Sequence, residues 1–214
     1  MLAIPAAAQS KGVAMFFRAG YTHLNTGTQS MAAVARPVSS FRGNYYGIGG
    51  EGYWKSGKLL VGLDGMVTTH GPTSKNEFYA EPFTVTSSTR LGYVAYETND
   101  LFFYPAFGVG AGLLGITTYT KHDRVRTNVN TMFLFSPSAE ISVNADKLVY
   151  TFPNGRSMGA FVFGIRAGYR FSHPSSNWQK LPSEDTPRTK MSIDGYYIAI
   201  ALGAANLRHK QQAR

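Results

Sequence analysis

The chain contains no cysteine, which excludes a disulfide framework, a thiolate metal centre and a cysteine nucleophile. Charge is scarce. Only 15% of the 214 residues are Asp, Glu, Lys or Arg, against about 25% in ordinary soluble domains. No stretch approaches the ~20 consecutive apolar residues of a membrane-spanning helix, because Gly, Arg or Asp interrupts each apolar run within a few residues. Helical spans are therefore excluded, but spanning strands are not, since barrel strands bury only alternate residues in lipid. The histidines His23, His70, His122, His173 and His209 show no metal-ligand spacing, and there is neither a G-x-S-x-G elbow nor a P-loop lysine. The glycine-rich GIGGEG at 47–52 opens no helix and reads as space-saving glycine within a strand. No cofactor is expected.

What the chain has in excess is aromatic residues, at 14% with 13 Tyr, together with 23 Gly. The mean hydropathy of −0.16 hides a strong pattern of period two, the period at which strand side chains change face. In the segment from Leu101 to Tyr119, Phe103, Pro105, Phe107, Val109, Ala111 and Leu113 fall on one face, while Ala106, Gly108, Gly110 and Gly112 fall on the other. A water-facing outer surface would carry charge there. A face this small and glycine-rich fits the crowded inside of a closed barrel with lipid outside.

Eight such segments are predicted, over residues 13–24, 45–54, 58–70, 87–97, 101–119, 131–145, 157–172 and 191–204. The connections alternate in length. Residues 25–44, 71–86, 120–130 and 173–190 form long loops, Ser56-Gly57 and Thr98-Asn99-Asp100 form tight turns, and 146–156 forms a longer turn. That alternation is expected of an eight-stranded antiparallel transmembrane up-and-down β-barrel, with short periplasmic turns and long extracellular loops. Two aromatic girdles are expected near the strand ends, from Tyr45, Tyr46 and Trp54, Phe102 and Phe103, Tyr119, Tyr169 and Phe171, and Tyr196 and Tyr197. Residues 1–10 read as a signal-peptide remnant, 11–206 as the barrel and 207–214 as a basic tail. The net charge of +9 is scattered along the chain and forms no basic run. It favours contact with anionic lipid headgroups and lipopolysaccharide phosphates over nucleic acid.

The stretch 164–204 carries Gly168-Tyr169-Arg170-Phe171, Trp178 and Asp194-Gly195-Tyr196-Tyr197-Ile198. It resembles the closing hairpin of the small outer-membrane β-barrel proteins of Bacteroidetes (the outer membrane protein beta-barrel domain). The resemblance implies a barrel fold and a location in the bacterial outer membrane, and it implies no particular activity. The basic C-terminal residues depart from the terminal aromatic of many such barrels.

Seven charged residues share the inward parity: Arg18, Glu51, Asp64, Arg90, Glu140, Arg166 and Arg170. Charges inside a narrow barrel must pair, because an isolated one costs several kcal/mol. They are expected to form an interior network that fills the lumen, rather than the selectivity filter of a pore. One candidate catalytic pair exists, His173 and Ser175, similar to the H-x-S arrangement of outer-membrane lipid A deacylases, where His is the general base for Ser. Pro174 lies between them and marks the end of a strand, which favours a loop-tip histidine. The expectation is a structural, adhesive or accessory barrel that is not an enzyme and meets lipopolysaccharide or a protein partner through its loops. A lipid A or phospholipid acyl hydrolase and a soluble lipocalin-like barrel stand as alternatives.

Overall fold

A computed structural model describes residues 11–25, 43–75, 77–98, 100–122, 125–154, 157–175, 178–181 and 190–208. The signal-peptide remnant lies outside the described residues, as do most of the loop 25–44 and positions 209–214. The strands run β1 (Lys11–Leu24), β2 (Asn44–Ser56), β3 (Leu59–Thr69), β4 (Thr73–Lys75), β5 (Phe78–Tyr93), β6 (Tyr96–Glu97), β7 (Leu101–His122), β8 (Val125–Asn154), β9 (Ser157–Ser172), β10 (Trp178–Leu181) and β11 (Gly195–Arg208). Eight of them form the wall in the order β1-β2-β3-β5-β7-β8-β9-β11, each antiparallel to its neighbours. The wall closes where β11 pairs with β1, from Lys11 opposite Arg208 to Leu24 opposite Gly195. Closure removes the edge strands and satisfies every ladder within the wall, as a barrel immersed in lipid must do.

The two faces of the wall follow the period-two pattern. Outward stand Val13, Met15 and Phe17 on β1, Ile48 and Trp54 on β2, Leu63 and Val67 on β3, Phe107 and Val109 on β7, and Ile198, Ile200 and Leu202 on β11, all exposed. Met15 is 74% and Leu63 65% exposed, which only an apolar solvent tolerates across a continuous belt. The last strand, where Tyr196/Ile198 and Tyr197/Ala199 compete for the outward face, takes the Tyr196 parity: Tyr197 and Ala199 are buried.

Several expected boundaries differ. The loop placed at 71–86 is mostly strand, because β4 and β5 form a hairpin there and β5 begins at Phe78 rather than residue 87. The loop placed at 120–130 is likewise paired, Thr120 opposite Thr127 and His122 opposite Val125. The turn placed at 146–156 is strand up to Asn154 opposite Ser157. The last strand starts at Gly195 and runs on through Leu207 and Arg208, which removes both from the basic tail. In each case cross-strand partners carry the ladder through residues whose local composition reads as turn.

The wall is also uneven in height. Crossing a bilayer takes about 9–11 tilted residues, whereas β7 has 22 and β8 has 30. β9 stops pairing with β8 at Ser172 opposite Ser138, and β3 stops pairing with β5 at Thr69 opposite Phe83. Beyond those points β5, β7 and β8 continue as a three-stranded ribbon. Its edges are partly covered by β4 on β5 and by β10 on β8.

The girdles also need correction. Tyr46 and Tyr196 are exposed beside Tyr21, with Tyr21–Tyr46 and Tyr21–Tyr196 ring centroids 5.5 and 6.1 Å apart. Trp54, Tyr93, Tyr96 and Phe103 are exposed toward the opposite end. Tyr45, Phe102, Tyr119 and Tyr197 are buried and belong to no girdle. Tyr45, Phe102 and Tyr197 sit on the inward parity, where an aromatic ring fills the lumen instead of marking the interface.

Candidate functional site

The interior is built in layers. At mid-height lies a band of charge that brings all seven predicted residues together. Arg18 Nη1 donates to Asp64 Oδ2 at 2.6 Å, and Arg90 Nη2 donates to the same oxygen at 2.8 Å. Arg90 Nε lies 2.5 Å from Glu140 Oε1. Arg170 Nη2 donates to Glu140 Oε2 at 3.2 Å, and Arg166 Nε donates to Glu51 Oε1 at 2.7 Å. Ser88 Oγ adds a hydrogen bond to Asp64. Opposite charges at this range attract one another strongly in a medium poor in water.

Sequence reasoning missed three members. Asp146, placed in a turn, is fully buried on β8; its carboxylate pairs with Arg166 Nη1 at 2.5 Å and accepts from Tyr53 and Tyr104 hydroxyls at 2.9 and 3.0 Å. Among the described residues four interior arginines thus meet the four carboxylates of Glu51, Asp64, Glu140 and Asp146, and the band they form is formally neutral. Lys55 is buried at the end of β2 and donates to Glu97 at 2.9 and 3.1 Å. Tyr197 is the third. Its ring lies 5.7 Å from the guanidinium of Arg18, 6.0 Å from that of Arg90 and 5.7 Å from that of Arg170, and its hydroxyl accepts from Arg90 at 3.1 Å. A ring face among three cations offsets part of their mutual repulsion. Asp146 and Lys55 were within reach of the parity rule. Asp146 continues the Glu140, Ser142, Asn144 face, and Lys55 continues the Glu51, Tyr53 face.

Glycine makes room for this band. A Cβ on Gly108 would stand 2.8 Å from Glu140 Cγ, and one on Gly164 would stand 2.6 Å from both Arg166 Nη1 and Asp146 Oδ1. Larger residues there would push the charged groups out of register.

Apolar layers close the band from both sides. Toward the chain termini lie Ala14, Phe16, Leu60, Val94, Phe102, Tyr104, Leu148, Val162 and Ala201. Toward the ribbon, buried threonines come first, with Thr68 and Thr84 hydroxyls 2.7 Å apart. Above them Leu24, Tyr45, Ala80, Leu114, Ile116, Met132, Leu134, Met191 and Ile193 form a second apolar cluster. Met191 and Ile193 come from no wall strand. They are carried over the mouth by a strap, residues 190–194, held by the paired Ser175 and Met191 backbones at 2.8 Å, by Ile193 N–H donating to Ser172 Oγ at 2.7 Å and by Asn25 N–H donating to Asp194 O at 2.8 Å. Ile193 drops onto Gly112, where an added Cβ would collide with its Cδ1. Between Glu51, Tyr53, Arg90, Tyr104 and Asn144 lies a cavity of about 30 Å³, room for about one water and no more.

The candidate catalytic pair is placed differently. His173 is exposed just past β9, and its carbonyl accepts from Ser136 Oγ at 2.9 Å. Ser175 is engaged through its backbone with Met191. Among the described residues no cluster of His, Cys, Asp and Glu could hold a metal.

A closed antiparallel barrel with an apolar belt outside and a neutral charged band sealed within is a membrane-spanning β-barrel. No protein-family model matches the chain, and no curated protein does. Solved structures similar to it include a major outer membrane protein from Thermus thermophilus, with 14% identity, TM-score 0.46, and 91% of this chain and 99% of that one covered. Neisserial surface protein A is similar at 11% identity and TM-score 0.35, over 94% of this chain and 97% of that one. Outer membrane protease OmpT from Escherichia coli is similar at 7% identity and TM-score 0.29, over 98% of each chain.

Proposed function

We propose that the protein is a structural, adhesive or accessory barrel of a bacterial outer membrane, acting through the surface at its ribbon end and neither as a pore nor as an enzyme. The observation that carries this reading is the sealed interior: a paired charged band between two apolar layers, with Ile193 seated in the mouth. An eight-stranded lumen is just wide enough for side chains, and these side chains occupy it. The wall is tall on one side only, and the longest connections leave from that end while Lys11 and Arg208 meet at the other. That polarity supports loops outside the cell and termini in the periplasm. The resemblance of Gly168 to Phe171 and Asp194 to Ile198 to small barrels of Bacteroidetes supports the same location, with residues 1–10 as the signal-peptide remnant. Lipopolysaccharide and a protein partner are the contacts expected of the ribbon and loops, where Lys121 and Arg126 stand exposed.

Two measurements test this. Protein taken from an outer-membrane fraction should show heat-modifiable gel migration, whereas recovery from the soluble periplasm would favour the lipocalin-like alternative. In planar bilayers it should give no steady single-channel steps; steps that change with Glu51→Ala or Arg166→Ala would replace the sealed barrel with a small pore.

A further inference from the structure

The outward belt is not uniform. On β1 the row Phe17, Ala19, Tyr21 places the small residue Ala19 between two large ones, directly opposite Ile48 of β2 and Ile200 of β11. The result is a dimple of about 860 Å³ in the lipid-facing wall, floored by Ala19, Gly20 and Gly47 and walled by Ile48, Ile198 and Ile200. It is an open depression rather than an enclosed pocket, a shape that suits a chain lying along the wall. Its upper rim is polar. Tyr21 hydroxyl donates to Asn44 Oδ1 at 2.8 Å, and His23 Nδ1 lies 2.8 Å from the same oxygen. Both groups meet the oxygen of the Asn44 amide, so its Nδ2 amino group is the donor left to face a ligand oxygen. His23 is also stacked on Tyr196, centroids 5.0 Å apart and planes 18° apart, so the ring is fixed. An apolar slot that faces hydrocarbon and ends in a fixed polar cluster at the interface has the polarity of a single lipid molecule.

We propose that this dimple holds one fatty acyl chain of a membrane lipid, with the ester or hydroxyl at the chain's head anchored by Tyr21, His23 and Asn44. This rests on the membrane-spanning reading above. The chain packs against Ile48, Ile198 and Ile200 and gains dispersion contacts that a convex wall lacks. The hydroxyl groups of glycolipids and the ester carbonyls of phospholipids both offer an oxygen that can accept from the Asn44 amide.

The test uses the full-length protein in vesicles of phosphatidylethanolamine with a trace of chain-spin-labelled phosphatidylethanolamine. The methyl NMR signals of Ile48 and Ile200 should broaden roughly threefold more than those of Leu63, Val85 and Val109, the ratio supported by about one net hydrogen bond over bulk lipid. Ala19→Trp fills the dimple from the lipid side and should equalise the two sets while heat-modifiable migration persists. Asn44→Ala should reduce the ratio without abolishing it. Unlabelled lipopolysaccharide or unlabelled phosphatidylethanolamine, whichever restores the Ile48 and Ile200 signals at lower concentration, identifies the source of the chain. Equal broadening of both sets in the unaltered protein, or a preference that survives Ala19→Trp, overturns the proposal and leaves the barrel reading intact. Broadening of neither set would sink both.

Discussion

The charged band and the apolar cluster at the ribbon end fill the same lumen by opposite means. In the band each group is held by specific partners: Arg166 touches Glu51 and Asp146, and Asp146 in turn holds Tyr53 and Tyr104. In the cap, Leu114, Ile116, Leu134 and Ile193 need only volume and neighbours. Loss of one ion partner leaves a buried charge uncompensated, whereas loss of one aliphatic leaves a cavity that its surroundings can partly refill. The band therefore specifies register, and the cap seals the mouth.

Arg166→Met gives the sharpest break in that comparison, because it removes the arginine paired with Asp146 and leaves Glu51 only Arg18 and Arg90, each at 3.4 Å. It should lower the stability of the folded barrel by about 3–5 kcal/mol, read as a lower urea midpoint for unfolding in lipid vesicles. Adding Asp146→Asn to it should recover part of the loss; a double variant no better than the single one would mean that Asp146 carries little of the strain. In the cap, Leu114→Ala should cost roughly 2–3 kcal/mol by the same measurement. Its effect should fall short of that of Arg166→Met, and the reverse order would mean that packing, not pairing, dominates the lumen.

Lys55 sharpens the contrast within the charged groups. Its partner Glu97 has a side chain 14% exposed near the end of the barrel that holds the termini, so water can take over when the lysine is lost. Lys55→Met should cost only about 1–2 kcal/mol. The smallest effect belongs to the ribbon. Arg126 lies over Tyr119 and pairs with Glu81 at 3.2 Å, but its side chain is 57% exposed. Arg126→Ala should shift stability by less than about 1 kcal/mol, with the residual effect weakening further at high salt.

The wall and its two faces were legible in the order of residues alone. Alternation is a local property of an extended chain, since each covalent step turns the next side chain to the other side. Phe103 to Leu113 on the outside and Arg18, Glu51, Asp64, Arg90, Glu140, Arg166 and Arg170 on the inside therefore need no knowledge of partners. Strand ends and interior partners are not local. Thr73 to Lys75, Phe78 to Thr86, Thr120 to His122 and Val125 to Asn130 lie in stretches that read as loop, and they are strand because neighbouring strands offer them ladders. Asp146 entered the lumen because pairing carried β8 past the point where composition suggested a turn, and Lys55 because β2 runs to Ser56, beyond the end expected at residue 54. The strap residues Met191 and Ile193 read as the start of a strand and became the cap, since only the closed barrel provides a mouth to fill and Gly112 beneath it provides the space. Tertiary structure decided which aromatic rings mark the interface and which plug the lumen, because a ring at a strand end is equally at home in either and only its face relative to the closed wall separates them.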